Sequence, residues 1–205
     1  MKPEDYWINR GSDLIGLDVL EKGYESRQAS TYDAIAVEIA AHRWSVLDVG
    51  CNVGALEQFL RSNCYRPNRE GYHGVDSNAF AVGYCRKNNL NANVSELQKL
   101  NYEAQTFDCV VVKDVLEHLD RLEHCKEAFR VAKHAVILSF FIPPKEGGIQ
   151  IEDIHQTKQG YYHNKYSEDR LILIANFSGF HLEKRIDTRE KDGNPNRIYV
   201  FLRNL

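Results

Sequence analysis

Nothing in the chain is apolar for long enough to cross a bilayer, and the opening MKPEDYWINRG has no apolar core of the kind a secretory leader needs. A cytoplasmic protein is therefore expected. The five cysteines, Cys51, Cys64, Cys85, Cys109 and Cys125, are odd in number and no two stand in C-x-x-C spacing. That argues against a disulfide scaffold and for reduced thiols. The formal charge of −3 gives no excess to attract a polyanion. Arg61, Arg66 and Arg69 are read as a solvated loop. No internal repeat and no low-complexity tract stands out. Two nucleotide signatures are also missing. A dinucleotide fingerprint begun at Gly50 would need glycines where Asn52 and Ala55 stand, and no Gly-Lys-Ser/Thr of a P-loop follows.

What is there is an ordinary soluble composition, 43% hydrophobic and 27% charged over 205 residues, enough for one domain with a sizeable core. Its most informative stretch is SVLDVGCNVGALEQFL, Ser45 to Leu60. Val46, Leu47 and Val49 read as a buried parallel strand. Leu56, Phe59 and Leu60 share one face of a following helix. Between them, Gly50 and Gly54 can take positive φ, and Asn52 is the non-glycine type that best tolerates it. A strand, a glycine corner and a helix start leave N–H groups facing a ligand. Asp48 falls at the strand's carboxyl end, where open α/β sheets bind ligands. A carboxylate there suits a ligand that carries an ammonium group and no phosphate. Gly74-Val75-Asp76-Ser77 reads as the tip of the next strand, and an acid at that place accepts hydrogen bonds from ribose hydroxyls.

Together with Phe107–Leu119, FDCVVVKDVLEHL, these residues resemble the class I S-adenosylmethionine-dependent methyltransferases. The resemblance runs from about Trp44 to Phe180. It implies a Rossmann-like α/β fold: a doubly wound, mostly parallel seven-stranded sheet, with S-adenosylmethionine as cofactor. It places Asp48, Gly50, Asn52, Gly54, Asp76 and Ser77 around the cofactor. Glu96 and Leu97 become candidates for the adenine, and Asp114 for the methionine end, with the Lys113 carbonyl near the sulfonium. N-terminal helices in such proteins cover the active site, which makes Tyr6, Trp7 and Arg10 candidates for its lining, against plain helix packing.

Residues 1–205 are taken as a single domain with a helical cap at 1–44. Leu14, Leu17, Val19 and Leu20 mark one short helix there, and Thr31 to Ala41 another. Strand and helix then alternate: Val46–Val49, Gly54–Ser62, Tyr72–Val75, Asn78–Asn88, a short strand near Val94, and Asp108–Val112. A helix is expected from Leu122 to Ala132, then a turn at Lys133-His134 and a strand from Ala135 to Phe141. Residues 142–166 form a polar, aromatic insertion where acceptor selection would reside. Ser167 with Glu168 and Asp169 makes a helix start. Phe180–Ile186 and Arg197–Leu202 read as an antiparallel edge, joined by a turn at Gly193-Asn194-Pro195.

A sulfonium methyl is already electrophilic, so the protein's main task is alignment, worth roughly 7–11 kcal/mol. A base is needed only where the acceptor must lose a proton. His118 is the first candidate, with His155 and His163 behind it. The expected acceptor is a small molecule, methylated on oxygen or nitrogen, such as a sugar or a natural-product intermediate. No resident metal is assigned and nucleic acid is not the expected partner. The alternatives are a metal-dependent RNA 2′-O-methyltransferase, with Asp114, Glu117, His118 and His163 as ligands, and a non-catalytic cofactor-binding protein of the same fold.

Overall fold

The computed structural model describes residues 17–65, 71–150, 152–158 and 160–205. Tyr6, Trp7, Arg10, Leu14, Arg66 and Arg69 lie outside them. In chain order the elements are α1 (Leu17–Lys22), a 3₁₀ turn (Gly23–Glu25), α2 (Ala29–His42), β1 (Val46–Val49), α3 (Ala55–Ser62), β2 (Tyr72–Asp76), α4 (Ala79–Lys87) and β3 (Ala92–Val94). Then come β4 (Phe107–Lys113), 3₁₀ turns at Leu116–His118 and Leu122–Cys125, α5 (Lys126–Val131), β5 (Ala132–Phe140), α6 (Glu168–Phe177), β6 (Phe180–Arg189) and β7 (Pro195–Arg203). The sheet order is β3-β2-β1-β4-β5-β7-β6, with β7 antiparallel to both of its neighbours and the other pairs parallel. This is the doubly wound, mostly parallel arrangement, with the antiparallel edge in its expected place.

The central strands are apolar throughout because both faces are covered. Leu47, Val49, Val110, Val112, Val136 and Leu138 face α5 and α6. Val46, Cys109, Val111, Ala135 and Ile137 face α2 and α3. The outermost strand, β6, is largely exposed and carries Lys184, Arg185, Asp187 and Arg189, charges that discourage edge-to-edge pairing. Ser167 caps α6, its hydroxyl accepting from the Arg170 N–H at 3.2 Å, with Glu168 and Asp169 in the first turn.

Besides shifts of one to three residues at other element ends, three boundaries differ from the sequence reading in kind. The expected helix at Leu122 begins as a 3₁₀ turn and becomes α only at Lys126. There is no turn at Lys133-His134: Ala132 is already extended and pairs with Phe107, and a register shift between Phe107 and Cys109 absorbs the extra residue on β5. Pro195 opens β7 opposite Arg189 instead of closing a turn, as a strand's first position tolerates its missing N–H.

Candidate active site

The parallel strands β1, β2, β4 and β5 all end at one edge of the sheet, and the order reverses between β1 and β4, the place where such sheets hold ligands. A cavity of about 730 Å³ lies there, within the range that takes ligands of drug size. Its wall runs from the tips of β2 and β3, at Asp76, Ser77, Glu96 and Leu97, past Gly50 and Asn52. It continues along Lys113 and Asp114 to His118, Phe141, Tyr161 and His163.

The glycine corner is shaped by backbone demand. Gly50 has φ +76°, and a Cβ there would meet Val115 Cγ2 at 2.3 Å. Asn52 has φ +49°. Its N–H donates to Asp76 Oδ2 at 2.8 Å, while the Asn78 N–H donates to Oδ1 at 2.8 Å. Asp76 thus ties the corner to the β2 tip while remaining on the cavity wall. Burial raises its pKa, and the two N–H bonds oppose that.

Two expected cofactor residues do not reach the wall. Asp48 is 4% exposed, on the α2–α3 side of the sheet, and accepts the Tyr72 hydroxyl at 2.6 Å. Burial pushes its carboxyl up to about 6. Gly54 sits at the start of α3 with φ +80°, where a Cβ would strike Leu90 at 2.2 Å, so its role is packing. Beside the expected Asp114, the middle of the cavity carries charges that sequence reasoning missed, on Lys113, Arg27 and Glu190. Lys113 Nζ lies 2.5 Å from Asp114 Oδ2 and 4.5 Å from the centre of the Tyr32 ring. Burial alone would lower the Lys113 pKa, but Asp114 and Tyr32 hold it above its ordinary value. Burial pushes the Tyr32 phenol to about 12. Asp114 adopts φ +55°, and its Oδ1 accepts from Ser139 Oγ at 3.0 Å and from Asn196 Nδ2 at 3.4 Å. Glu190, on the β6–β7 turn, lines the wall and lies 3.2 Å from Arg27 Nε. Burial raises its pKa. The wall therefore carries four acidic side chains (Asp76, Glu96, Asp114, Glu190) against two basic ones (Arg27, Lys113), an environment suited to a cationic ligand.

At the β4–β5 end, the His118 Nδ1 lies 2.8 Å from the Tyr162 carbonyl, so Nδ1 carries the proton and the lone pair is on Nε2. Burial lowers the His118 pKa to about 4, so the ring is neutral near pH 7. Burial also lowers the His163 pKa, with His155 adding to the effect. The His155 side chain is exposed and does not line the cavity. Its backbone carbonyl receives the His163 N–H at 2.9 Å, which is its contribution. Glu117 faces away too: fully buried, it accepts from the Ile142 N–H at 3.4 Å, and burial, then Asp114, push its pKa well up. The four residues of the metal-site alternative are therefore not gathered at one point. Among the described residues no group of three or more His, Cys, Asp or Glu side chains is arranged to hold a metal ion.

The insertion is held over this end by buried anchors that no motif announces. The Asn164 side chain donates to the Leu119 carbonyl at 2.6 Å, and the Tyr166 hydroxyl donates to the Leu116 and Leu119 carbonyls at 3.1 and 2.8 Å. Both residues are buried among the turns that follow β4.

Comparisons with known proteins agree with this geometry. A family model described as a methyltransferase domain matches residues 47–140. No curated protein matches the chain. Among solved structures, a magnesium protoporphyrin IX methyltransferase of Synechocystis with bound S-adenosylhomocysteine superposes with a TM-score of 0.72 at 19% identity, covering 98% of both chains. An S-adenosylmethionine-dependent methyltransferase of Methanosarcina mazei gives 0.59 at 17% identity, over 79% of this chain and 93% of its own. The [4+2]-cyclase SpnF gives 0.61 at 12% identity, over 84% of this chain and 81% of its own.

Proposed function

We propose that the chain is a class I S-adenosylmethionine-dependent methyltransferase, as its methyltransferase-domain match and its fold support, and that it methylates an oxygen or nitrogen of a small molecule held at the β4–β5 end of the cavity. The supporting observation is one continuous cavity with a different lining at each end: strand-tip acids and a glycine corner at one, rings at the other. The described residues then act as one domain. Helices α1 and α2 cover the side of the sheet that α3 packs on, and the insertion supplies the acceptor-side wall through Ile142, Tyr161 and His163. Among the described residues no helix is long and apolar enough to cross a membrane. Five free thiols support a reducing, cytoplasmic setting.

The residues present fit the cofactor. Asp76 could receive ribose hydroxyls, Ser77, Glu96 and Leu97 would flank the adenine, and Gly50 and Asn52 allow close backbone approach. Asp114, backed by Lys113 and Ser139, and Glu190 offer carboxylates toward a positively charged amino-acid arm. When bound, the cofactor supplies an electrophilic methyl group. The protein holds the acceptor atom in line with it and keeps water out.

His118 does not act as a strong base. Taking the proton of a phenol-like hydroxyl, pKa about 10, onto an imidazole of about 4 is uphill by on the order of 8 kcal/mol. Its Nε2 instead orients the acceptor by taking a hydrogen bond. The proton leaves late, once the oxygen has gained a bond and become far more acidic than an imidazolium.

Calorimetry with S-adenosylhomocysteine tests the cofactor half. Binding that weakens at least about tenfold in Asp76→Ala, with the fold intact, is expected. No binding to the wild-type chain would remove the proposal.

A further inference from the structure

The two ends of the cavity differ in charge as well as in place. All of its acidic and basic lining residues stand on the β2–β3 side, at the β4 tip, or on Arg27 and the β6–β7 turn. Beyond Asp114 the wall is made of rings. The centres of His118 and Phe141 are 5.3 Å apart, those of Phe141 and His163 5.4 Å, and those of Tyr161 and His163 5.1 Å. The last two pairs meet edge to face, at 65° and 70°. Such a tilted cluster has fixed faces and edges, which a flat guest can meet by stacking or edge contact. All four rings are only partly buried, so they present aromatic surface to the cavity. Val115, Leu119 and Ile142 add aliphatic surface to this part of the wall. A pyranose would need several paired donors and acceptors here, and the His118 Nδ1–H is already held by the Tyr162 carbonyl.

We propose that the methyl acceptor is a planar, uncharged aromatic compound bearing a hydroxyl group, its ring lodged against His118, Phe141, Tyr161 and His163. This rests on the nucleoside occupying the opposite, charged end. It replaces the expected sugar with an aryl alcohol. In the transfer, the hydroxyl oxygen forms the new bond to the methyl carbon as the carbon–sulfur bond breaks. The sulfur keeps that electron pair and the hydroxyl proton passes to His118 Nε2.

The test is calorimetric titration of 2-naphthol, and separately of methyl β-glucoside, into the full chain saturated with S-adenosylhomocysteine. Wild type, Phe141→Leu and Tyr161→Leu are compared, with melting curves to confirm folding. If Phe141→Leu does not fold, Tyr161→Leu decides. The expected result is naphthol binding that weakens about threefold to tenfold in each leucine variant, while S-adenosylhomocysteine affinity stays within about twofold. Naphthol that fails to bind a complex holding S-adenosylhomocysteine normally overturns the proposal and leaves the cofactor reading standing. So does naphthol affinity unchanged in the leucine variants. Tighter binding of methyl β-glucoside overturns it in favour of a sugar. A wild-type chain that does not take up S-adenosylhomocysteine overturns both.

Discussion

Asp48 offers a quantitative test of the site's geometry. It lies one residue before the end of β1, yet its carboxyl is 4% exposed and bonded to the Tyr72 hydroxyl. Burial lifts its pKa from 3.8 to about 6, with the Tyr72 bond pulling against that rise. The sign follows from linkage. Between these two values the folded chain binds more protons than the unfolded one, so stability falls as pH rises through the window. The cost of holding the charged form is about 3 kcal/mol at pH 7 and about 1 kcal/mol at pH 4.5. Asp48→Asn keeps the shape and the acceptor for Tyr72 but removes the charge. Its amide N–H₂ adds a cost of its own where it lacks a partner, but that cost does not vary with pH.

The expected signature is therefore a slope. From pH 4.5 to pH 7, the stability of Asp48→Asn relative to wild type should improve by about 2 kcal/mol, or about 4–8 °C in melting temperature for a chain of this size. Urea denaturation and thermal melts of both proteins at the two pH values measure it. Affinity for S-adenosylhomocysteine, followed alongside, should change by less than about threefold, because Asp48 is off the wall. Parallel pH dependences would refute the reasoning. They would mean an ordinary carboxyl open to solvent, and so one in position to meet the cofactor directly.

Three other outcomes follow from the same geometry. Gly50→Ala, at φ +76° with Val115 Cγ2 at 2.3 Å from the new Cβ, should lose at least about 2 kcal/mol of stability and most cofactor affinity, by denaturation and calorimetry. With its pKa near 4, His118 should leave no inflection near pH 6.5 in kcat/KM; one that disappears in His118→Asn would count against its burial. Asn164→Ala should cost about 1–3 kcal/mol and make residues 145–165 easier to cleave by protease, while S-adenosylhomocysteine affinity holds.

The legible and illegible parts of the chain divide along a physical line. β1 was readable to the residue because a strand sealed on both faces must be apolar, and the corner after it because only certain residues accept positive φ. The strand-tip acid Asp76 is fixed by two backbone N–H groups close to it in the fold, so chain position was enough. Asp48 misled because position along a strand gives an end but not a side. Period-two alternation sends its side chain to the α2–α3 face with Val46, under Tyr72. Lys113 and Tyr32 were missed for a related reason. Their meeting depends on α2 packing across β4, which no local spacing reports. Glu190 reaches the wall only because β6 and β7 fold back as a hairpin.

The same division explains why the acceptor half resisted sequence reasoning. The described residues between 142 and 166 have little regular structure, and their position over the cavity depends on three backbone carbonyls of the turns after β4, those of Leu116, Glu117 and Leu119. Those carbonyls exist in any sequence. The information is instead in Asn164 and Tyr166, which look like ordinary polar and aromatic loop residues until they are seen buried beside their partners. Once the insertion is pinned, His163 swings to the wall and His155 to solvent, although both were equal candidates by composition. A one-residue slip in the pairing of Asp153 with Lys165 would exchange which side chains face the cavity. Under the proposed function, acceptor choice would follow the register of this short irregular hairpin, and altering its anchors should change specificity before it changes cofactor binding.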